Sequence, residues 1–208
     1  MRVINLDQKK VGGSSPAYII AEIGINHQGS LELAKELIKK ASEVGANAVK
    51  FQKRSIQRIL TREGLNAPYE NPNSFGKTYG EHKKALELSE SDYDELFAFA
   101  NTCNLSFIAS GWDEESIDFL DYLGVPFFKM ASADLTNFPL LEHTAKKNKP
   151  IILSTGMSEI GTVKKAYNLV NKYTNQIGIL QCTSTYPTNF EEIHLNVIRS
   201  YKRLFPDA

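Results

Sequence analysis

Six short apolar runs punctuate this chain, at residues 19–23, 48–51, 107–109, 127–130, 151–153 and 177–180, and a helix-like stretch follows each one. Strand–helix alternation of this kind predicts a parallel sheet, because parallel neighbours need a long crossover and a helix supplies it. The run at 18–23 is near-continuously apolar, as a strand covered on both faces is. In such sheets ligands bind at the carboxyl ends of the strands. Polar residues stand at or just past those ends: Glu22, Lys50, Gln52, Ser110, Lys129, Ser132, Ser154 and Ser184. The pattern therefore predicts an α/β fold with a strand-end site. It also sets a problem, since six βα units fall two short of a closed eight-stranded barrel.

Composition narrows the partners. Among 208 residues, 24 basic and 24 acidic side chains cancel, so no global field attracts nucleic acid or an anionic membrane, and any anion site must be local. No run approaches the ~20 apolar residues of a membrane span. Met1 to Lys10 is short and polar, unlike a signal peptide. Cytosol is the default compartment, with Cys103 and Cys182 reduced and packed as small core residues. Residues 1–208 read as one domain without a linker or internal repeat.

Local signals place the helices. A hairpin of residues 3–6 and the stretch around Val11 is expected first. Ser30 is placed to cap a helix whose buried stripe is Ala34, Leu37, Ile38, Ala41 and Val44, with Gly45 at its end. Later helices are expected from 91–94, 113–115, Asn137, 158–159 and near 195–205. Between Lys53 and Glu90 no periodicity is evident. Turn residues crowd 66–80, yet Tyr69, Phe75, Tyr79 and His82 are too aromatic for a plain linker, so an ordered loop over a site is expected.

Lys50 and Lys129 each end an apolar strand, where an unpaired ammonium is costly. Either each pairs with a carboxylate, Glu22 or Asp134, or both bind an anion. Ser110, Ser132, Ser154 and Ser184 would then supply hydroxyls that suit a phosphate. Glu22, inside an apolar segment, is either a structural partner of Lys50 or a general acid or base. Asp134 is either a turn residue near Asn137 or a second carboxylate. His27, His82, His143 and His194 show no metal-ligand spacing, and neither cysteine lies near one. The STGMS stretch at 154–158 matches no phosphate-loop motif.

At these residues the chain resembles the sialic acid synthase family, which condenses phosphoenolpyruvate with N-acetylmannosamine or its 6-phosphate. The matching stretches are IAEIGINHQG at 20–29, AVKFQ at 48–52, VPFFKMAS at 125–132, NFP at 137–139, PIILSTGM at 150–157 and LQCTSTYP at 180–187. TYGEHK at 78–83 is similar to the animal-type members, which favour the 6-phosphate sugar. The resemblance implies a TIM-type (β/α)8 barrel followed by an antifreeze-like domain, with residues 1–208 as the N-terminal part of the barrel and the second domain absent. Carried over by motif, Lys50, Ser110, Lys129, Ser132, Ser154 and Ser184 would bind phosphoenolpyruvate, and Glu22 and Asp134 would be catalytic. Gln52 and Tyr186 would lie on the sugar side. The family's divalent metal, Mn2+ or Mg2+, takes histidines that would follow residue 208, so activity of this chain is expected to be impaired, and the full-length family suggests a homodimer. Where many members have Gly-Ser-Gly, this chain has Ala131-Ser132-Ala133, which is expected to crowd a ligand-facing turn if either position needs positive φ. Two alternatives remain: a Schiff-base aldolase using Lys129, and a non-catalytic truncated isoform or paralogue.

Overall fold

The computed structural model describes residues 2–208. It divides into two compact units, one formed by Tyr18–Val125 and the other by the segment up to Ala17 together with Pro126–Ala208. The expected hairpin is present: β1 (Val3–Leu6) pairs antiparallel with β2 (Lys9–Gly12), and Ile4 and Leu6 are buried.

In the Tyr18–Val125 unit, β3 (Ile20–Gly24), β4 (Ala48–Lys53) and β5 (Ser106–Gly111) form a parallel sheet in that order. Register sets Glu22 beside Lys50 and Gln52 beside Ser110. The sheet centre is wholly apolar: Val49, Phe51, Phe107 and Ile108 are inaccessible to solvent, each large side chain contributing about 1.5–3 kcal/mol of burial. Helix α1 (Leu31–Glu43) connects β3 to β4; Ser30 accepts from the Leu33 amide, and Ala34, Ile38 and Ala41 face inward. Val44 does not join that stripe. It is the C-cap, 82 % exposed, where the chain leaves the helix before Gly45 turns at φ +80°.

The stretch 53–90 corrects the sequence reading, because it holds three short helices: α2 (Ile56–Ile59), α3 (Arg62–Asn66) and α4 (Tyr79–Ala85). Caps and long-range contacts fix them instead of an apolar stripe. Thr61 caps α3, and Thr78 and Glu81 form a reciprocal capping box on α4. His82 is buried with its ring 4.5 Å from Tyr69 and 5.8 Å from Phe75, and its Nδ1 accepts from the Phe75 amide. Then α5 (Glu90–Thr102), capped by Ser89, leads to β5, and α6 (Glu114–Leu123), capped by Asp113, ends at Gly124 in the left-handed region.

The other unit carries a second parallel sheet, β6 (Phe128–Met130), β7 (Ile151–Ser154) and β8 (Ile177–Leu180), in that order. A single 3-10 turn, Ser132–Asp134, follows β6 and feeds α7 (Phe138–Ala145), where Asn137 caps and Pro139 occupies the first turn. Helix α8 (Ile160–Val170) joins β7 to β8, and α9 (Val197–Leu204) follows β8. The hairpin belongs to this unit: the Asn5 amide donates to Gln176 Oε1, and Ile4 packs beside Gly178. Cys103 and Cys182 are free thiols, half-buried rather than in the core.

Candidate functional site

The strand-end residues gather into two sets, one on each sheet. On the β3–β4–β5 sheet, Lys50 is 3 % exposed and its Nζ stands 3.0 Å from a Glu22 carboxylate oxygen. Neighbouring register positions on parallel strands make this pairing, so the ion-pair reading of Glu22 and Lys50 holds geometrically. Nζ also donates to Ser110 Oγ at 3.4 Å and to the Phe51 carbonyl at 3.5 Å. Glu22 keeps more than half of its side chain exposed, so it presents a carboxylate to solvent while compensating a buried ammonium. The register slips between Glu22 and Gly24, where Gly24 takes φ +58°.

Gln52, the penultimate residue of β4, is half-buried, and its main-chain carbonyl accepts from the Tyr93 hydroxyl at 2.5 Å. Beside it lies a pair that sequence reasoning missed. Arg54, buried, stands 2.5 Å from Glu87 through Nε, the two charges touching without hydrogen-bond alignment. Burial raises the Glu87 carboxyl above its ordinary range, against the lowering pull of Arg54. His27 is also buried; desolvation lowers its affinity for a proton, and its Nδ1 accepts from the Gly29 amide. It is held as a neutral ring that braces the turn after β3.

On the β6–β7–β8 sheet, two serines, Ser132 and Ser184, converge on Gly156. A methyl group at Gly156 would lie 2.4 Å from Ser184 Oγ and 2.9 Å from Ser132 Oγ, and the Gly156 amide donates to Ser132 Oγ at 3.1 Å. The glycine is thus required by close approach, and this was the physical content of the STGMS stretch. Ser154 ends β7 with its hydroxyl buried and unpartnered. Asp134, at the end of the 3-10 turn, is buried, with Oδ2 likewise unpartnered. Burial pushes its carboxyl up to about 6, with the Lys129 charge pulling the other way. Two orphaned polar atoms on one set of strand ends are what a ligand's own donors and acceptors would complete. Such a carboxyl, poised near neutrality, suits proton transfer.

The turn that carries Asp134 accommodates its alanines. Ala131 sits at φ −69°, and Ala133 is not among the residues with positive φ, so neither methyl strains the backbone. Tyr186, 93 % exposed, lies on the loop after β8, where it precedes a cis proline. Among the described residues there is no group of three or more His, Cys, Asp or Glu that could hold a metal ion. No helix among them is long and apolar enough to cross a membrane.

Parallel sheets linked by helices place the chain in the α/β class. The chain belongs to the NeuB family, which it matches over residues 37–208. It is 48% identical over 197 residues to the N-acetylneuraminate-9-phosphate synthase of Homo sapiens, covering 95% of this chain and 55% of that protein. It is 41% identical over 192 residues to the protein of the same name from Drosophila melanogaster, covering 92% of this chain and 52% of the relative. The chain therefore spans about half the length of these curated relatives. Among solved structures it is similar to an N-acetylneuraminic acid synthetase from Leptospira borgpetersenii serovar Hardjo-bovis in complex with citrate. The TM-score is 0.85 at 30% identity, covering 98% of this chain and 67% of that one.

Proposed function

We propose that this chain carries the phosphoenolpyruvate-binding part of a sialic acid synthase, and that its six parallel strands belong to a TIM-type (β/α)8 barrel. The reaction condenses phosphoenolpyruvate with N-acetylmannosamine 6-phosphate, the sugar favoured by the likeness to 9-phosphate synthases. One observation carries the reading: the Ser132 and Ser184 hydroxyls meet at Gly156, where no side chain fits, and the Ser154 hydroxyl at the end of β7 is buried and unpartnered.

In this reading Lys50, Lys129 and the four serines hold the phosphate and carboxylate of phosphoenolpyruvate, the ammonium groups offsetting the charge. C3 of phosphoenolpyruvate attacks the open-chain aldehyde carbon of the sugar, forming the new carbon–carbon bond as the carbonyl π bond opens and its oxygen takes up a proton to become a hydroxyl. Water adds at C2, the bond from C2 to the bridging oxygen breaks, and phosphate leaves with that oxygen. Asp134, with a carboxyl raised to about 6, takes the proton from the adding water and is the general base, while Glu22 is the second carboxylate. Gln52 and Tyr186 face the sugar. The cytosol remains the proposed compartment, and a homodimer the proposed assembly of the longer protein.

Calorimetric titration with phosphoenolpyruvate tests the binding, and phosphoenolpyruvate labelled with 18O at the bridging position tests the chemistry. Label is expected in the released phosphate. Absence of binding at millimolar phosphoenolpyruvate overturns the cradle, and label retained in the organic product overturns the C–O cleavage.

A further inference from the structure

We infer that Arg54 is a positioning residue that fixes the side chain of Gln52 with its NH2 donors toward the sugar, an inference that rests on the sugar-side reading of Gln52. The two residues alternate on β4 and its continuation, so their side chains leave the same face of the strand. Arg54 Nη2 donates to Gln52 Oε1 at 2.6 Å. A guanidinium has five donors and no acceptor, so it can face only the oxygen of an amide. That settles which way the Gln52 amide lies. The Nε2 group is left pointing away from Arg54, on the side of Gly24, where the site of a missing Cβ lies 3.5 Å from it.

Arg54 is itself held from two further sides. Its Nε stands 2.5 Å from Glu87, which follows α4, and its guanidinium lies 5.6 Å from the centroid of the Trp112 ring, just past β5. The side chain is almost completely buried. Clamped this way, the guanidinium cannot swing out, and the amide cannot flip without setting its NH2 against a donor. A free glutamine offers a ligand an acceptor and two donors in either sense. This one turns its two donors away from Arg54 and toward the ligand, because its oxygen faces the guanidinium. Its partner on the sugar is therefore an oxygen acceptor, a hydroxyl or the N-acetyl carbonyl, and not a donor-only group such as an ammonium. Gln52 arrives at the ligand already oriented, which spares part of the ordering cost of binding.

The experiment titrates N-acetylmannosamine 6-phosphate and, separately, phosphoenolpyruvate into the chain, and follows the Gln52 side-chain amide by NMR with 15N-glutamine. Because removal of Arg54 alone strands the Glu87 charge, the variant is Arg54→Met with Glu87→Met. It is expected to weaken the sugar about 5–10-fold, the loss of roughly one oriented hydrogen bond, and to leave phosphoenolpyruvate affinity in place. In the ligand-free protein the Gln52 amide resonances are expected to move toward solvent-exposed values and to exchange faster. Gln52→Glu keeps the partner of Arg54 but removes the donor, and it is expected to lose the sugar by at least as much with its melting temperature retained. Should the double variant not fold, this second one decides. Wild-type sugar affinity in Gln52→Glu, or an unmoved Gln52 amide in the folded double variant, overturns the positioning role. Gln52→Ala separates the two readings: if it binds the sugar as the parent does, or if the parent itself binds none, the sugar-side assignment of Gln52 falls first and takes this inference with it.

Discussion

Asp134 places a measurable load on the fold. Its carboxyl titrates near 3.8 in a solvated chain and is pushed to about 6 in the native one, chiefly by burial. Between those values the folded state holds a proton that the unfolded state has lost. Stability must therefore fall as pH rises through this window and stay lowered above it. The gap is about two pH units, worth about 3 kcal/mol at 1.36 kcal/mol per unit. Asp134→Asn keeps the shape and removes the charge, so it should unfold at higher urea than the parent at pH 7.5, by about 3 kcal/mol. At about 2–4 °C per kcal/mol for a chain of this size, the melting temperature should rise by roughly 6–12 °C. At pH 4 the two proteins should nearly coincide. The assay is urea unfolding of both at intervals from pH 4 to 8, with every other titrating group common to the pair and cancelling in the difference. The same substitution should abolish turnover while phosphoenolpyruvate still binds, the trade expected of a residue kept charged for chemistry. A difference that does not change with pH would falsify the burial argument and return Asp134 to an ordinary turn carboxylate.

Other substitutions probe the remaining parts. Gly156→Ala drives a methyl group to 2.4 Å from Ser184 Oγ and should cost about 1–3 kcal/mol in melting experiments and at least ~10-fold in phosphoenolpyruvate affinity by calorimetry; wild-type affinity would show that the serines need not converge. Lys50→Met removes a charge-assisted contact and should weaken phosphoenolpyruvate by roughly 10–100-fold with the fold retained, since Glu22 is exposed enough to stay solvated; an unchanged titration refutes the ligand role of Lys50. Thr78→Ala breaks the capping box on α4 and should cost about 1 kcal/mol, seen as faster hydrogen exchange confined to 53–90. Borohydride with pyruvate should leave Lys129 unmodified by mass spectrometry, whereas a reduced adduct there would favour Schiff-base chemistry.

What could be read from the sequence depended on whether the physics was local. The parallel strands were legible because burial on both faces writes an uninterrupted apolar run, as at 107–109 before Ser110. Helix caps at Ser30, Asp113 and Asn137 were legible because the cap and the amide it accepts are three residues apart. The strand-end positions of Ser110 and Ser154 were legible because a strand end is a fixed place in a βα unit. The helices within 53–90 were not, since four to seven residues are too few for a stripe, and the aromatic packing on His82 that holds α4 draws on residues up to 13 positions away. Arg54 and Glu87 stood in full view as charges, but nothing in their spacing says that they meet. The role of Gly156 was equally hidden, because the hydroxyls that exclude a side chain there come from other strand ends.

The two units differ in how they can arise on the ribosome. Tyr18–Val125 is continuous, so its sheet, helices and aromatic packing can all form once residue 125 has left the exit tunnel. The other unit is split in sequence. Its opening hairpin emerges first, yet the side chain that accepts from Asn5 lies 171 residues later, at Gln176. A two-stranded hairpin alone is marginal in water. It must therefore wait through most of translation, with Ile4 and Leu6 lacking the partners that bury them, until β8 is made. Synthesis halted between residues 125 and 177 should leave a folded middle and an unsatisfied beginning, a state that offers chaperones the N-terminus rather than the newest part of the chain.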